Sequence, residues 1–152
     1  MMNIRNTVIT WLPPVLWMLF ISPFNGLLTS HSTSSIVMPF ITWLLPQASL
    51  NTAETVHMLM RKTGHFLEYA VLASLLFRAF GGKGKPFRFS HILYAGLISL
   101  GYSALDEYLQ TFIPARTGAV RDWLIDASGV VCALGILSIR TKRTRQDSES
   151  GG

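Results

Sequence analysis

The chain has 152 residues, of which 49% are hydrophobic and only 14% are charged. That charged share is about half of what soluble domains usually carry, which favours a membrane protein over a soluble core. The net charge of +5 comes largely from two basic stretches, residues 81–88 and 140–145, that flank apolar segments. A nucleic-acid-binding protein would need a basic face on a soluble fold, so we expect no nucleic-acid partner.

The first apolar segment, residues 7–24, is roughly long enough to cross a membrane. Pro13 and Pro14 lie in its first third, and we expect them to kink the helix or to shorten its regular part. No small-residue cleavage site follows the segment, so the sequence indicates an uncleaved anchor rather than a secretory signal.

The second apolar run, residues 36–46, is too short to cross and is interrupted by Pro39. It lies between stretches rich in Ser, Thr and Asn. We therefore predict a short interfacial or re-entrant helix between the first two spans. The alternative is a hydrophobic loop that packs on the outer ends of the spans.

Three more segments are predicted to span the membrane, at about residues 63–80, 91–112 and 123–139. The predicted fold is therefore an all-α, integral membrane four-helix bundle, with residues 1–140 forming one transmembrane domain. Residues 141–152 are basic and poor in apolar side chains, and we expect a disordered cytoplasmic tail there.

The basic residues predict the direction of these spans. Eight of them fall on one side of the four-span arrangement, which the positive-inside rule places in the cytoplasm together with both chain termini. The expected location is the cell membrane. The opposite side also holds four cations, and all of them adjoin acidic residues. The cytoplasmic set is Arg5, Lys83, Lys85, Arg88, Arg140, Lys142, Arg143 and Arg145, and the external set is Arg61, Lys62, Arg116 and Arg121.

Each of the last three predicted spans carries polar side chains along one side. Counting about 1.5 Å per residue from the outer ends places Glu68, Asp106 and Asp126 at similar depths, roughly 6–10 Å into the outer leaflet. Ionisable groups at that depth are unfavourable unless they are paired or hydrated, so we expect the three stripes to converge. The stripes are Lys62, His65, Glu68 and Tyr69; Ser99, Tyr102, Ser103, Asp106, Glu107 and Gln110; and Asp122, Asp126, Gly129 and Ala133.

Four interpretations of this constellation are open. Buried carboxylates paired with cations can simply determine which helices pack together. Arginine and lysine side chains could instead bind the phosphate of a polar headgroup, or an imidazole and a carboxylate could act as acid and base. In the last interpretation His65 and Glu68, three positions apart on one face, bind a metal as in carboxylate-bridged bundles.

We predict one pocket without a metal, because only one histidine belongs to the set, although a hard cation would accept carboxylates alone. No cofactor is identified from the sequence. The hypothetical catalytic residues are His65, Glu68 and Asp106, and the predicted ligand-binding residues are Lys62, Tyr69, Glu107, Gln110, Arg116, Arg121, Asp122 and Asp126.

Three motifs in these spans resemble those of the VanZ-like family over roughly residues 61–137. Two positions depart from the family's usual pattern: Ala115 stands where glycine is common, and Asp126 where asparagine is common. The motifs are Lys62-x-x-His65-Phe66-x-x-Tyr69, then Asp106-Glu107-x-x-Gln110-x-Phe112-x-Pro114-x-Arg116, then Asp122-x-x-x-Asp126-x-x-Gly129.

The resemblance implies a small multi-pass bacterial membrane protein. The family is named for a protein that lowers susceptibility to the glycopeptide teicoplanin, which carries a lipid tail and targets a lipid-linked cell-wall precursor. The expected partners are therefore membrane lipids and either such a precursor or a lipidated glycopeptide. An enzyme acting on an envelope lipid and a purely structural polar network are the alternatives.

Overall fold

The computed structural model describes residues 4–22, 32–47, 49–81, 88–112 and 120–150. Within these ranges the chain forms five α-helices and no β-strand, which confirms the predicted all-α class. The helices are α1 (Ile4–Phe20), α2 (Ser32–Leu44), α3 (Leu50–Gly81), α4 (Phe89–Gln110) and α5 (Val120–Ser150).

Short polar residues determine where α3 begins. The Ser49 hydroxyl accepts a hydrogen bond of 3.2 Å from the backbone N–H of Thr52, which satisfies one of the unpaired donors of the first turn. At the start of α4, Arg88 is extended, with φ −129° and ψ 140°. The last turn of α4 closes with two bonds of 3.2 Å, from the backbone N–H of Thr111 to the Tyr108 carbonyl and from that of Phe112 to the Leu109 carbonyl.

Two helix boundaries and the course of α1 differ from the sequence prediction. Helix α3 begins at Leu50 rather than near residue 63, so the second predicted span is the second part of a longer helix. Helix α5 continues to Ser150, through the segment predicted to be disordered. The extension contains arginine, lysine, glutamine and glutamate, which favour helix without needing an apolar face. Helix α1 runs through Pro13 and Pro14 from Ile4 to Phe20.

Helix α3 is the centre of the fold and contacts each of the other four described helices. Its most extensive contact is with α5. The short helix α2, which contains most of the apolar run predicted to form an interfacial helix, also packs against α3. The apolar core is formed by Tyr69, Leu72, Ala73 and Leu76 of α3, Ala95 of α4, and Val130 and Leu134 of α5. Ile21, just after α1, joins the same core.

Contacts between helices give their directions. The rings of Trp11 and Phe80 pack 5.0 Å apart, whereas the Trp17 indole donates to the backbone carbonyl of Glu68, so α1 and α3 are antiparallel. The chain also reverses between α3 and α4, because Tyr94 near the start of α4 packs against Phe80 near the end of α3. Helix α5 again runs parallel to α3, as the ion pairs described below require. The four long helices therefore alternate in direction.

The exterior of these helices is strongly apolar. Large hydrophobic side chains are exposed along α1, α4 and α5, for example Leu16, Leu97 and Val131. Among the described helices, one segment, Val120–Thr141 in α5, is long and apolar enough to cross a membrane, and only 22% of it is buried inside the protein. The helical class is thus confirmed, whereas the crossing of a membrane by all four predicted spans stays a prediction.

Candidate functional site

The centre of the helix assembly is polar. Six polar or charged side chains of α4 and α5 expose 7% or less of their surface. Burial of such groups is unfavourable without partners, so we expect specific contacts among them. The six residues are Ser99, Ser103, Asp106, Glu107, Gln110 and Asp126. We call these six residues, together with His65 and Tyr69, the polar cluster.

Asp106 is held by one residue from each of two helices. The Tyr69 hydroxyl donates a hydrogen bond of 3.1 Å to Asp106 Oδ2, and Gln110 Nε2 donates to the same oxygen at 3.1 Å. Gln110 lies one turn after Asp106, so it reaches the carboxylate from the same face of α4. The second oxygen, Oδ1, is buried and makes no hydrogen bond to a described residue.

The carboxylate of Asp126 is fully buried, and it connects α5 to both neighbours. Ser103 of α4 donates a hydrogen bond of 2.6 Å to Asp126 Oδ2. The other oxygen, Oδ1, faces Nδ1 of His65 on α3 at 3.4 Å. That distance is long for a hydrogen bond, and neither atom has a hydrogen-bond partner within the described ranges.

A more accessible ion pair lies one helical turn above this contact. Arg61 Nη2 is 3.4 Å from Asp122 Oδ2, with about half of the arginine side chain exposed. Arg61 precedes His65 by four residues, and Asp122 precedes Asp126 by four, so both pairs have the same spacing of 61 positions. This register requires α3 and α5 to be parallel neighbours.

Gly129 permits the close approach of α3 and α5 below these pairs. A Cβ atom at this position would meet the backbone carbonyl of Phe66, with its carbon 3.1 Å away. Backbone atoms in a packed helix have little freedom to move aside. The absence of a side chain at Gly129 therefore sets the helix spacing that brings His65 to Asp126.

The structure brings some of the other predicted site residues to the polar cluster and leaves others at its edge. Glu107 is buried beside Asp106 in the chain. Glu68 and Lys62 are half-buried on α3, and Arg121 is exposed at the start of α5. Arg116, predicted to bind a ligand, lies outside the described residues.

A cavity of about 450 Å³ lies against α3 but contains none of the predicted site residues. Its lining side chains point about 180° away from His65 around the helix, at 100° per residue. They are Val56, Leu59, Met60, Thr63, Gly64 and Leu67. This apolar groove is therefore distinct from the polar cluster.

Two contacts of the site were not assigned functional roles from the sequence. Arg61 lies four residues before His65, on the same face of α3. Ser103 lies three residues before Asp106, in the polar stripe of α4. Helical spacing gave a signal for both residues, but it did not show that Arg61 pairs with Asp122 or that Ser103 donates to Asp126.

One subset of the cluster has the composition of a metal-binding site. His65, Glu107 and Asp126 each offer a ligand atom, and these three atoms lie within 4.8 Å of one another. They come from three different helices, α3, α4 and α5. An imidazole nitrogen with two carboxylate oxygens is a donor set suited to a divalent cation.

A family profile described as VanZ/LLP1 matches residues 8–141 of this chain. The chain belongs to the VanZ/LLP1 family. The match confirms the family predicted from the three motifs, and it extends from α1 to the apolar part of α5. Comparisons with curated proteins and with solved structures give no match. The VanZ-like family is membrane-associated, and α5 contains one segment able to cross a membrane.

Proposed function

We propose that this VanZ/LLP1-family protein crosses the bacterial cell membrane four times and uses the polar cluster to bind the headgroup of a lipid-linked or lipidated envelope ligand. The observation that carries the proposal is the distribution of side chains. Carboxylates, serines and a glutamine are buried at the centre, while leucine, isoleucine and valine cover the outside. A hydrocarbon environment favours this distribution, since lipid tails solvate the apolar exterior and converging helices shield the polar groups.

The alternating directions of α1, α3, α4 and α5 also support four crossings. At 1.5 Å per residue, the 32 residues of α3 extend for about 48 Å, which exceeds the roughly 30 Å hydrocarbon core. In the proposed arrangement, its first part projects beyond the outer leaflet and α5 projects on the cytoplasmic side. Both termini then lie in the cytoplasm, and the polar cluster lies in the outer leaflet.

The rim of the cluster supplies the chemistry for recognising an anion. Arg61 is half exposed and engages Asp122 with a single contact of 3.4 Å, so an incoming phosphate or carboxylate can compete for its guanidinium. Lys62 and Arg121 lie on the same two helices and add positive charge near this rim. We further propose, from the sequence, that Arg116 contributes to the same anion site.

The proposed ligands share an anionic headgroup and a hydrocarbon tail. They are a lipid-linked cell-wall precursor and a lipidated glycopeptide such as teicoplanin. Binding of either at the outer face would alter the amount of antibiotic that reaches its target. We therefore expect expression of the protein to change susceptibility to teicoplanin more than susceptibility to a glycopeptide without a lipid tail.

The test compares lipids that copurify with the wild type, Asp106→Asn and Glu54→Gln. Asp106→Asn keeps the size of the side chain but removes a buried charge, whereas Glu54→Gln removes an exposed charge far from the cluster. Mass spectrometry should find an anionic lipid with the wild type and Glu54→Gln, and a large loss with Asp106→Asn. Equal lipid content in all three proteins would contradict the proposal.

A membrane-embedded enzyme is the second candidate, favoured by the position of His65 beside Asp126. If the protein is an enzyme, His65→Ala should insert stably and lose all effect in a susceptibility assay. For a binding protein, His65→Ala should keep much of its effect, whereas Arg61→Ala and Arg116→Ala should lose it. A changed ligand mass after incubation with the wild type would identify turnover directly.

A further inference from the structure

We propose that His65, Glu107 and Asp126 form a binding site for a divalent transition-metal ion such as Zn²⁺ or Mn²⁺. The three ligand atoms lie within 4.8 Å of one another. Because the residues belong to α3, α4 and α5, one ion would connect the three helices that form the core. This inference does not rest on the proposed ligand or on the number of membrane crossings, since it concerns three side chains that the structure brings together.

The contact between His65 and Asp126 has the geometry of two ligands rather than of a close ion pair. Two atoms each about 2.1 Å from a tetrahedral metal lie roughly 3.4 Å apart. His65 Nδ1 and Asp126 Oδ1 are separated by 3.4 Å, and neither is hydrogen-bonded within the described part of the chain. Asp126 is fully buried, so its Oδ1 is an unpartnered polar atom that points into the proposed site.

The other contacts of Asp126 fit the role of a metal ligand. Carboxylates that bind a metal are usually held by a second hydrogen bond, which orients them and leaves one oxygen for the ion. Ser103 donates such a bond, of 2.6 Å, to Asp126 Oδ2. Ser103 is therefore a positioning residue, because it contacts the ligand and not the ion.

The donor set indicates which ions to expect. Mg²⁺ and Ca²⁺ prefer oxygen ligands alone, whereas imidazole nitrogen favours transition metals such as zinc. The charge also fits, since a divalent ion balances the negative charges of Glu107 and Asp126 where hydration is limited. The three-residue set leaves coordination positions open for water or for an anionic group.

The experiment measures metal bound to the full chain, purified in detergent micelles with its affinity tag removed. After EDTA treatment and dialysis against Zn²⁺ or Mn²⁺, elemental mass spectrometry should find one ion per wild-type chain. Asp126→Asn and Glu107→Gln should bind roughly tenfold or more weakly, as should Ser103→Ala. The asparagine variant keeps the size and shape of the Asp126 side chain, so we expect it to fold, and circular dichroism checks this.

Two control variants remove similar groups outside the site. His57→Gln removes a half-buried histidine two turns before His65, and Glu54→Gln removes an exposed carboxylate on the same helix. Both should bind the ion with wild-type affinity. The proposal is overturned if the wild type binds no ion up to millimolar metal, which would leave His65 and Asp126 as an ion pair. It is also overturned if Asp126→Asn, His65→Gln and the controls all bind equally.

Discussion

Tyr69 on α3 donates a hydrogen bond of 3.1 Å to Asp106 on α4, and both side chains are buried. Gln110 donates to the same carboxylate oxygen at 3.1 Å. A carboxylate with two donors has a fixed orientation, so Asp106 holds α3 and α4 in one rotational setting. The contact joins one residue of the polar stripe of α3 to one residue of the polar stripe of α4.

The first prediction concerns the Tyr69 hydroxyl. Tyr69→Phe removes one donor from the buried carboxylate of Asp106, and we expect the free energy of unfolding to fall by about 1–2 kcal/mol. Thermal unfolding in detergent micelles measures the change. Tyr94→Phe is the matched control, because Tyr94 is exposed on α4 and its hydroxyl has no hydrogen-bond partner among the described residues. Equal melting temperatures for the two variants would contradict a role for this bond.

The second prediction concerns the spacing of α3 and α5. Gly129→Ala places a methyl group against the Phe66 carbonyl, so the helices must separate, and we expect a loss of about 1–3 kcal/mol. Gly135→Ala on the same helix meets nothing within 4 Å and should be neutral or stabilising, because alanine favours helix over glycine. Thermal unfolding of both variants measures the difference in stability. Destabilisation by Gly135→Ala but not by Gly129→Ala would contradict the proposed role of Gly129 in helix spacing.

The third prediction concerns the rim ion pair. A double-mutant cycle of Arg61→Gln and Asp122→Asn should give a coupling energy of about 0.2–1 kcal/mol, because the arginine side chain is half exposed and its charge is screened. The coupling should fall further in high salt. A coupling above 3 kcal/mol that does not change with salt would show that the pair is buried in the membrane-embedded protein.

The fourth prediction tests the four-span topology. In a Cys132→Ser background, a cysteine at Lys85 should react with an impermeant thiol reagent only after the cells are permeabilised. A cysteine at Thr117 should react in intact cells, because the loop before α5 is predicted to lie outside. The opposite pattern would reverse the orientation, and labelling of both positions in intact cells would exclude the proposed spans.

Helical periodicity by itself assigned the polar side chains to one face of each helix. The four-residue intervals that join Asp106 to Gln110 and Asp122 to Asp126 follow from the 3.6-residue repeat, which is fixed by backbone geometry. The same intervals, as motifs in order along the chain, identified the family. The helical class followed from composition and spacing, because long apolar segments without alternation favour helices.

The helix ends were less predictable from the sequence, since hydropathy marks what can be buried and not where backbone hydrogen bonding stops. Helix α3 begins at Leu50 because Ser49 caps its first turn. Both neighbours of Leu50, Ser49 and Asn51, are polar, so hydropathy does not mark this boundary. Ser150 ends a helix whose last part has no apolar face. Hydropathy therefore located the apolar parts of α3 and α5 but not their full lengths.

The pairing of the polar residues was decided only by the tertiary structure. Asp126 meets Ser103 and His65, whereas Asp106 meets Tyr69 and Gln110. These choices depend on the rotation of each helix about its axis and on its sliding along its neighbour, and neither quantity is encoded in the period of one helix. The contact of Gly129 with the Phe66 backbone fixes the sliding of α5 on α3, and it is this packing that sets His65 opposite Asp126.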